Sequence, residues 1–115
     1  CRYVPTEHSL VRESTGDRRG TLSAAALGQS SVRAAPTTLV ITAELAITAR
    51  KYGSRAERLA TLEAGHVAEN VLLTATALGL SAVPVGAFDD ADVRLAIDLS
   101  ADVTPLYLIP IGHPP

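Results

Sequence analysis

Apolar positions change their period several times along the chain. Residues 1–20 show no sustained period; Pro5, Gly16 and Gly20 interrupt them, and Asp17-Arg18-Arg19 adds a mixed-charge cluster. An irregular lead-in with at most a short strand is predicted there. Thr21 to Gln29 is rich in Ala and Leu, with Thr21 placed as an N-cap, which predicts a helix of two turns. After Pro36, the run from Thr37 to Ile47 is dense in Thr, Val, Ile and Leu and reads as a largely buried strand. Ser54-Arg55-Ala56-Glu57 has the form of a capping box, so a long helix is expected to begin at Ser54. It is expected to end at Gly79, where a left-handed residue would stop it and Leu80 would supply the hydrophobic contact beyond. At ~1.5 Å per residue, about 25 residues make a rod of roughly 38 Å. Its second half, Val71 to Leu78, is apolar nearly all round, which predicts burial on more than one side. In so short a chain, the second covering surface is expected to come from a partner subunit.

Ser81 to Ala87 reads as a short strand ending at Gly86. Asp89 is placed to cap a short helix containing Val93, Leu95, Ala96 and Ile97, with acidic residues in its first turn as the helix dipole prefers. Pro105 to Ile111 forms the last strand. The expected fold class is therefore α+β, with three strands among the helices. Three strands and one helix leave a core that looks incomplete by itself.

Composition narrows the function classes. A length of 115 residues fits one domain, residues 1–115. Residues 1–58 hold nine basic and five acidic groups, and residues 59–115 hold one and seven, so a chain-wide basic footprint for nucleic acid is absent. Cys1 is the only cysteine, which leaves no intramolecular disulfide or Cys-based zinc site and makes a reducing, cytoplasmic setting the expectation. No run of eighteen apolar residues exists, so no membrane span is expected. The opening residues lack the apolar stretch of a signal peptide, and the absence of any Met suggests an internal start.

Lys51-Tyr52-Gly53-Ser54-Arg55, then Leu62-Glu63-Ala64-Gly65-His66 and Glu69-Asn70, resemble the FMN-dependent nitroreductase family. The resemblance is closest to its SagB-type dehydrogenases, the branch of azoline oxidases. Ala35-Pro36, Gly79-Leu80, Val83 to Asp89 and Pro105 to Gly112 match in the same order. Glu69 stands where the family usually has Gln, and Glu57 and Leu59 replace aromatic residues around Arg58. The resemblance covers the C-terminal half of the family domain and implies a nitroreductase-like α+β fold, a small, mostly antiparallel sheet packed on a long apolar central helix, that dimerises through the helix at residues 54–79. It implies that the segment Pro84, Val85, Gly86, Ala87 binds FMN, with a backbone N–H at Gly86 or Ala87 facing the reactive N5. Small residues suit that role, because they let the main chain approach a planar ring and tune it without a titratable group. It implies Lys51 and Tyr52 as base and proton partner, with Arg50 and Arg55 close enough in sequence to influence the lysine. It further implies a hydride exchanged with NAD(P)H or with a small-molecule or peptide-derived, azoline-type substrate. The Arg-rich segment that holds the FMN phosphate in the family is absent from the sequence.

Other polar groupings have plainer readings. Glu63, His66, Asn70 and Thr74 form one row on the long helix and suit helix packing or a subunit interface better than a metal, since no third ligand is evident. Asp89, Asp90 and Asp92 read as a cap and first helical turn. Arg18-Arg19 between Gly16 and Gly20 could cradle a phosphate but reads better as a solvated turn. There is no G-x-S-x-G elbow and no G-x-G-x-x-G after a strand, which argues against an ordinary hydrolase and a Rossmann-type fold. His8 and His113 have no partner set. The expectation is an FMN-dependent oxidoreductase; the alternative is a flavin-free relative serving as an interaction or scaffold module.

Overall fold

A computed structural model describes residues 1–114 of the protein. The lead-in is more ordered than its composition suggests. Strands β1 (Arg2–Val4) and β2 (Ser9–Val11) pair antiparallel, with Tyr3 opposite Leu10. The turn between them closes through Glu7 N–H to Val4 O and His8 N–H to Pro5 O. Helix α1 (Arg19–Ala25) starts before Thr21, whose hydroxyl donates back to the Arg18 carbonyl instead of capping. The helix expected through Gln29 breaks at Leu27 and Gly28, both at positive φ, and a second short helix, α2 (Ser30–Ala34), follows.

Strand β3 (Thr37–Ala43) is shorter than the Thr/Val/Ile run implied, because residues 45–47 belong to helix α3 (Leu45–Tyr52). The half-buried positions there, Leu45 and Thr48, recur at helical rather than alternating spacing, and that contact pattern overrides β-propensity. Gly53, at φ 54 and ψ −133, turns the chain through a conformation that a side chain would obstruct. A 3-10 turn at Gly53–Arg55 leads into α4 (Ala56–Ala77). The expected capping box does not form. Ser54 lies inside the 3-10 turn, and the residue at the N-cap is Arg55, already near-helical and without a side-chain cap bond. The other end of α4 closes as expected: Leu80 N–H reaches Ala75 O and Gly79 N–H reaches Thr76 O around Gly79 at φ 71, the paired bonds of a Schellman motif.

Strand β4 is only Ser81–Ala82, with Val85 bridging separately to Leu108. Helix α5 (Asp90–Ala96) carries the expected cap, Asp89 Oδ1 accepting from Asp92 N–H at 2.9 Å. Strand β5 (Thr104–Gly112) lies in the middle of an antiparallel sheet of order β3-β5-β4. Its register with β3 slips between Ile41 and Thr42, which pair with Tyr107 and Pro105 and leave Leu106 as the extra residue. The irregularity falls beside a proline that cannot donate to the ladder.

The two faces of the sheet are packed differently. On one, Leu108, Val40 and Val85 meet Leu22, Ala25, Ala26, Val32, Val93 and Ala96 of α1, α2 and α5. On the other, α4 packs against the strands and against α3, and its buried positions Ala56, Ala60, Ala64, Ala68 and Ala75 form one stripe. Alternation along β5 turns Ile109, fully buried, to that second face. Helix α4 is not buried all round: Leu73 is 60% and Leu78 69% exposed.

Candidate functional site

The site is built on the segment that leaves β4 and continues alongside β5 at the sheet edge. Val83 N–H donates to Pro110 O, and Val85 and Leu108 exchange both backbone bonds at 2.7 and 3.0 Å. Gln29 Nε2 of the α1–α2 turn donates to Ala87 O at 3.0 Å, and Asp89 N–H donates to Ala25 O at 2.9 Å. The segment is thereby tied down at both ends. Between these ties, the N–H groups of Gly86 and Ala87 meet no acceptor among the described residues, and both residues are exposed. A main chain held this firmly presents two donors without having to reorganise when an acceptor arrives.

The four residues expected at a cofactor divide their roles. Pro84 is exposed and has no N–H to give, while Val85 turns its side chain into the core at 4% exposure. Gly86 opposes Tyr107, and a Cβ added to Gly86 would lie 3.6 Å from Tyr107 Cε1, an ordinary contact. The free face of Gly86 is therefore on the solvent side, where a planar ring would have room. Tyr107, half-buried under the segment, and Gln29, which fixes Ala87, were not singled out from the sequence. The one available signal was that Tyr107 is the only aromatic residue of its strand.

Lys51 and Tyr52 end α3, both exposed, with Lys51 Nζ 5.2 Å from the Tyr52 ring centroid. That separation is within cation–π range, so the ammonium and the phenol ring form one unit. No hydrogen bond or ion pair among the described residues joins this unit to Gly86. Arg50, Arg55 and Arg58 are exposed around the same corner.

Several sequence candidates are engaged elsewhere. Arg18 donates to Asp98 Oδ2 at 2.6 Å and to the Ala96 carbonyl, tying the lead-in to the end of α5. Arg19 grips Asp17, whose carboxyl is held down at about 2 chiefly by that side-chain bond. Both guanidinium groups have carboxylate partners, which removes the basis for a phosphate cradle. Glu63, His66, Asn70 and Thr74 are all exposed on α4, the Thr74 hydroxyl donating to the Asn70 carbonyl. His8 accompanies Tyr3, with Tyr3 Oη 2.9 Å from His8 Nδ1.

Three antiparallel strands between a long helix and three short ones, with a pinned glycine segment at the sheet edge, constitute the nitroreductase-like α+β fold. In the E. coli microcin synthetase McbBCD complex with truncated pro-MccB17 bound, a chain superimposes over 98% of this one with a TM-score of 0.85 and 25% identity, 43% of that chain being covered. The NADPH:FMN oxidoreductase of Vibrio harveyi, complexed with NAD+, matches 84% of this chain and 46% of its own at a TM-score of 0.72 and 25% identity. A nitroreductase-like protein of Methanocaldococcus jannaschii is 42% identical over 112 residues, 97% of this chain and 56% of the relative. The family model for the nitroreductase family matches residues 2–113, and the chain belongs to that family of oxidoreductases. It spans about half the length of the relatives it matches. Among the described residues, no helix is long and apolar enough to cross a membrane.

Proposed function

We propose that this chain supplies the N5-facing side of an FMN-dependent oxidoreductase site, with Gly86 and Ala87 at the cofactor and Lys51 and Tyr52 on the substrate side. The observation that carries this reading is the pair of unpartnered N–H groups on a segment tied at both ends. Gly86 is exposed and carries no side chain, which supports the reading because a planar ring can approach such a main chain closely. Bound there, FMN would supply two-electron transfer through N5 to or from NAD(P)H or an azoline-type substrate. The chain's own part is to donate Gly86 N–H or Ala87 N–H to the ring edge, to hold that donor at constant height through Val85 and Asp89, and to move protons at Lys51 Nζ and Tyr52 Oη. Phosphate-binding residues would come from outside these 115 residues.

A homodimer through α4 belongs to the same reading. Leu62 and Leu73 are 50% and 60% exposed on the helix face opposite the alanine stripe, where a second helix would bury them. The exposed leucines also favour the flavin-free alternative, an interaction module. An absorption spectrum from about 350 to 500 nm, taken before and after adding FMN and desalting, separates the two. A retained flavin band supports the oxidoreductase; a colourless protein under both conditions means a fragment that lacks the rest of the flavin site or a flavin-free relative, and only a longer chain that also stays colourless supports the module. Light scattering that shows a stable monomer would remove the dimer.

A further inference from the structure

The corner where α3 meets α4 carries more positive charge than its own structure uses. Arg50, Lys51, Arg55 and Arg58 lie within nine residues, all exposed, and none joins an ion pair or a side-chain hydrogen bond among the described residues. By contrast, Arg2, Arg18 and Arg19 each have a carboxylate partner. Glu57 is the one carboxylate within the segment. Gly53 folds the last turn of α3 back against the start of α4, so the four cations share one corner.

Their placement is partly unfavourable to folding. Arg50 and Lys51 lie at the C-terminal end of α3, where the helix dipole welcomes cations. Arg55 and Arg58 lie at the N-terminal end of α4, the positive pole, where cations are disfavoured. Helix stability therefore does not account for them. Arg58 also lines an open hollow of about 390 Å³ with Ser54, Glu57, Thr61 and Leu62, large enough for a small polyanion.

We propose that this corner is an anion subsite which draws phosphate- or carboxylate-bearing substrates to Lys51 and Tyr52, with Arg55 and Arg58 as its forks. A guanidinium pairs such groups through two parallel N–H bonds, and four like charges together raise the local concentration of an anion before contact. The assignment of the substrate side rests on the oxidoreductase reading, but binding of an anion at the corner does not require flavin.

The test uses the 115-residue chain without flavin. Amide NMR shifts are followed on adding inorganic pyrophosphate in one series and citrate in another, and repeated for Arg55→Gln, Arg58→Gln and a remote control, Arg33→Gln. Saturable shifts confined to residues 50–62 are expected, with binding weakened roughly tenfold by each corner substitution and unchanged by the control. Affinity should also fall steeply as ionic strength rises from about 0.01 to about 0.15 M and the screening length shrinks from about 30 to about 8 Å. Response to pyrophosphate alone assigns a phosphate ligand, and response to citrate alone a carboxylate one. Absence of saturable shifts in both series, or equal weakening by Arg33→Gln, overturns the subsite. A chain that retains no flavin but still binds pyrophosphate at the corner supports the subsite independently of the oxidoreductase reading.

Discussion

The two faces of the β3-β5-β4 sheet are built from different materials. One side interlocks large side chains, with Leu108, Val32 and Val93 at 0% exposure. The other meets α4 through alanines, which bring the helix axis close but bury little area each, while Leu62 and Leu73 point away from the sheet. The first side is a finished core; the second is one wall whose outer surface is still apolar. Stability and assembly are thus divided between the faces, and substitutions should sort accordingly.

The largest effect should come from the finished side. Leu108→Ala removes a side chain with no exposure and is expected to destabilise by about 3–5 kcal/mol, read as a lowered urea midpoint. Leu73→Ala on α4 is expected to change monomer stability by no more than about 0.5 kcal/mol. If Leu73→Ala instead unfolds the chain at low concentration but not at high, the helix face is already paired in solution. Either outcome locates the boundary between core and interface.

An intermediate effect is expected at Asp89. Its carboxylate caps α5, which closes the finished core, so Asp89→Ala should cost about 1 kcal/mol. A loss confined to α5 amide protection would show that this helix opens independently of the sheet. Lys51→Ala removes an exposed side chain and should shift stability by less than about 0.5 kcal/mol. If the proposed proton role holds, turnover of the loaded enzyme falls sharply while that stability is unchanged; full turnover in the variant removes Lys51 from the mechanism.

The smallest effect concerns acid. Asp17 is held at about 2 by the Arg19 side chain, then by the Arg19 backbone N–H, against an ordinary 3.8. A carboxyl lowered on folding contributes stability that is complete above its unfolded value and lost as pH falls from about 4 toward about 2. The carboxyl is solvent-exposed, so the contribution is small, but a carbon-detected titration should place its midpoint near 2 and return it toward 3.8 in Arg19→Ala.

Local patterns were legible wherever neighbours in sequence decide the outcome. The Gly79 stop and the Asp89 cap depend on bonds spanning a few residues, and the last strand from Pro105 showed in its run of Leu, Tyr and Ile although its ladder partners are distant; all three formed. Ser54 failed as a cap for an equally local reason, a 3-10 turn started by Gly53 that occupies the capping position. The region from residue 45 to 47 failed because Leu45, Ala46 and Ile47 fit a strand or a helix alike, and only contact with α4 selects between them. For the candidate site, the family motifs pointed to the residues near Gly86 and to Lys51-Tyr52. Gln29 and Tyr107 could not be read, since they reach the segment from 58 and 21 positions away in the chain.

From residue order alone came the α+β class, the long helix and its end and the last strand, because short-range bonding and apolar periodicity mark them, and the family resemblance, which ordered motifs carry. The tertiary structure decided which face of α4 is covered, which backbone donors at Gly86 and Ala87 remain free, and which arginines are already paired. Each of those outcomes depends on groups distant in the chain competing for one surface, a competition that spacing along the sequence does not record.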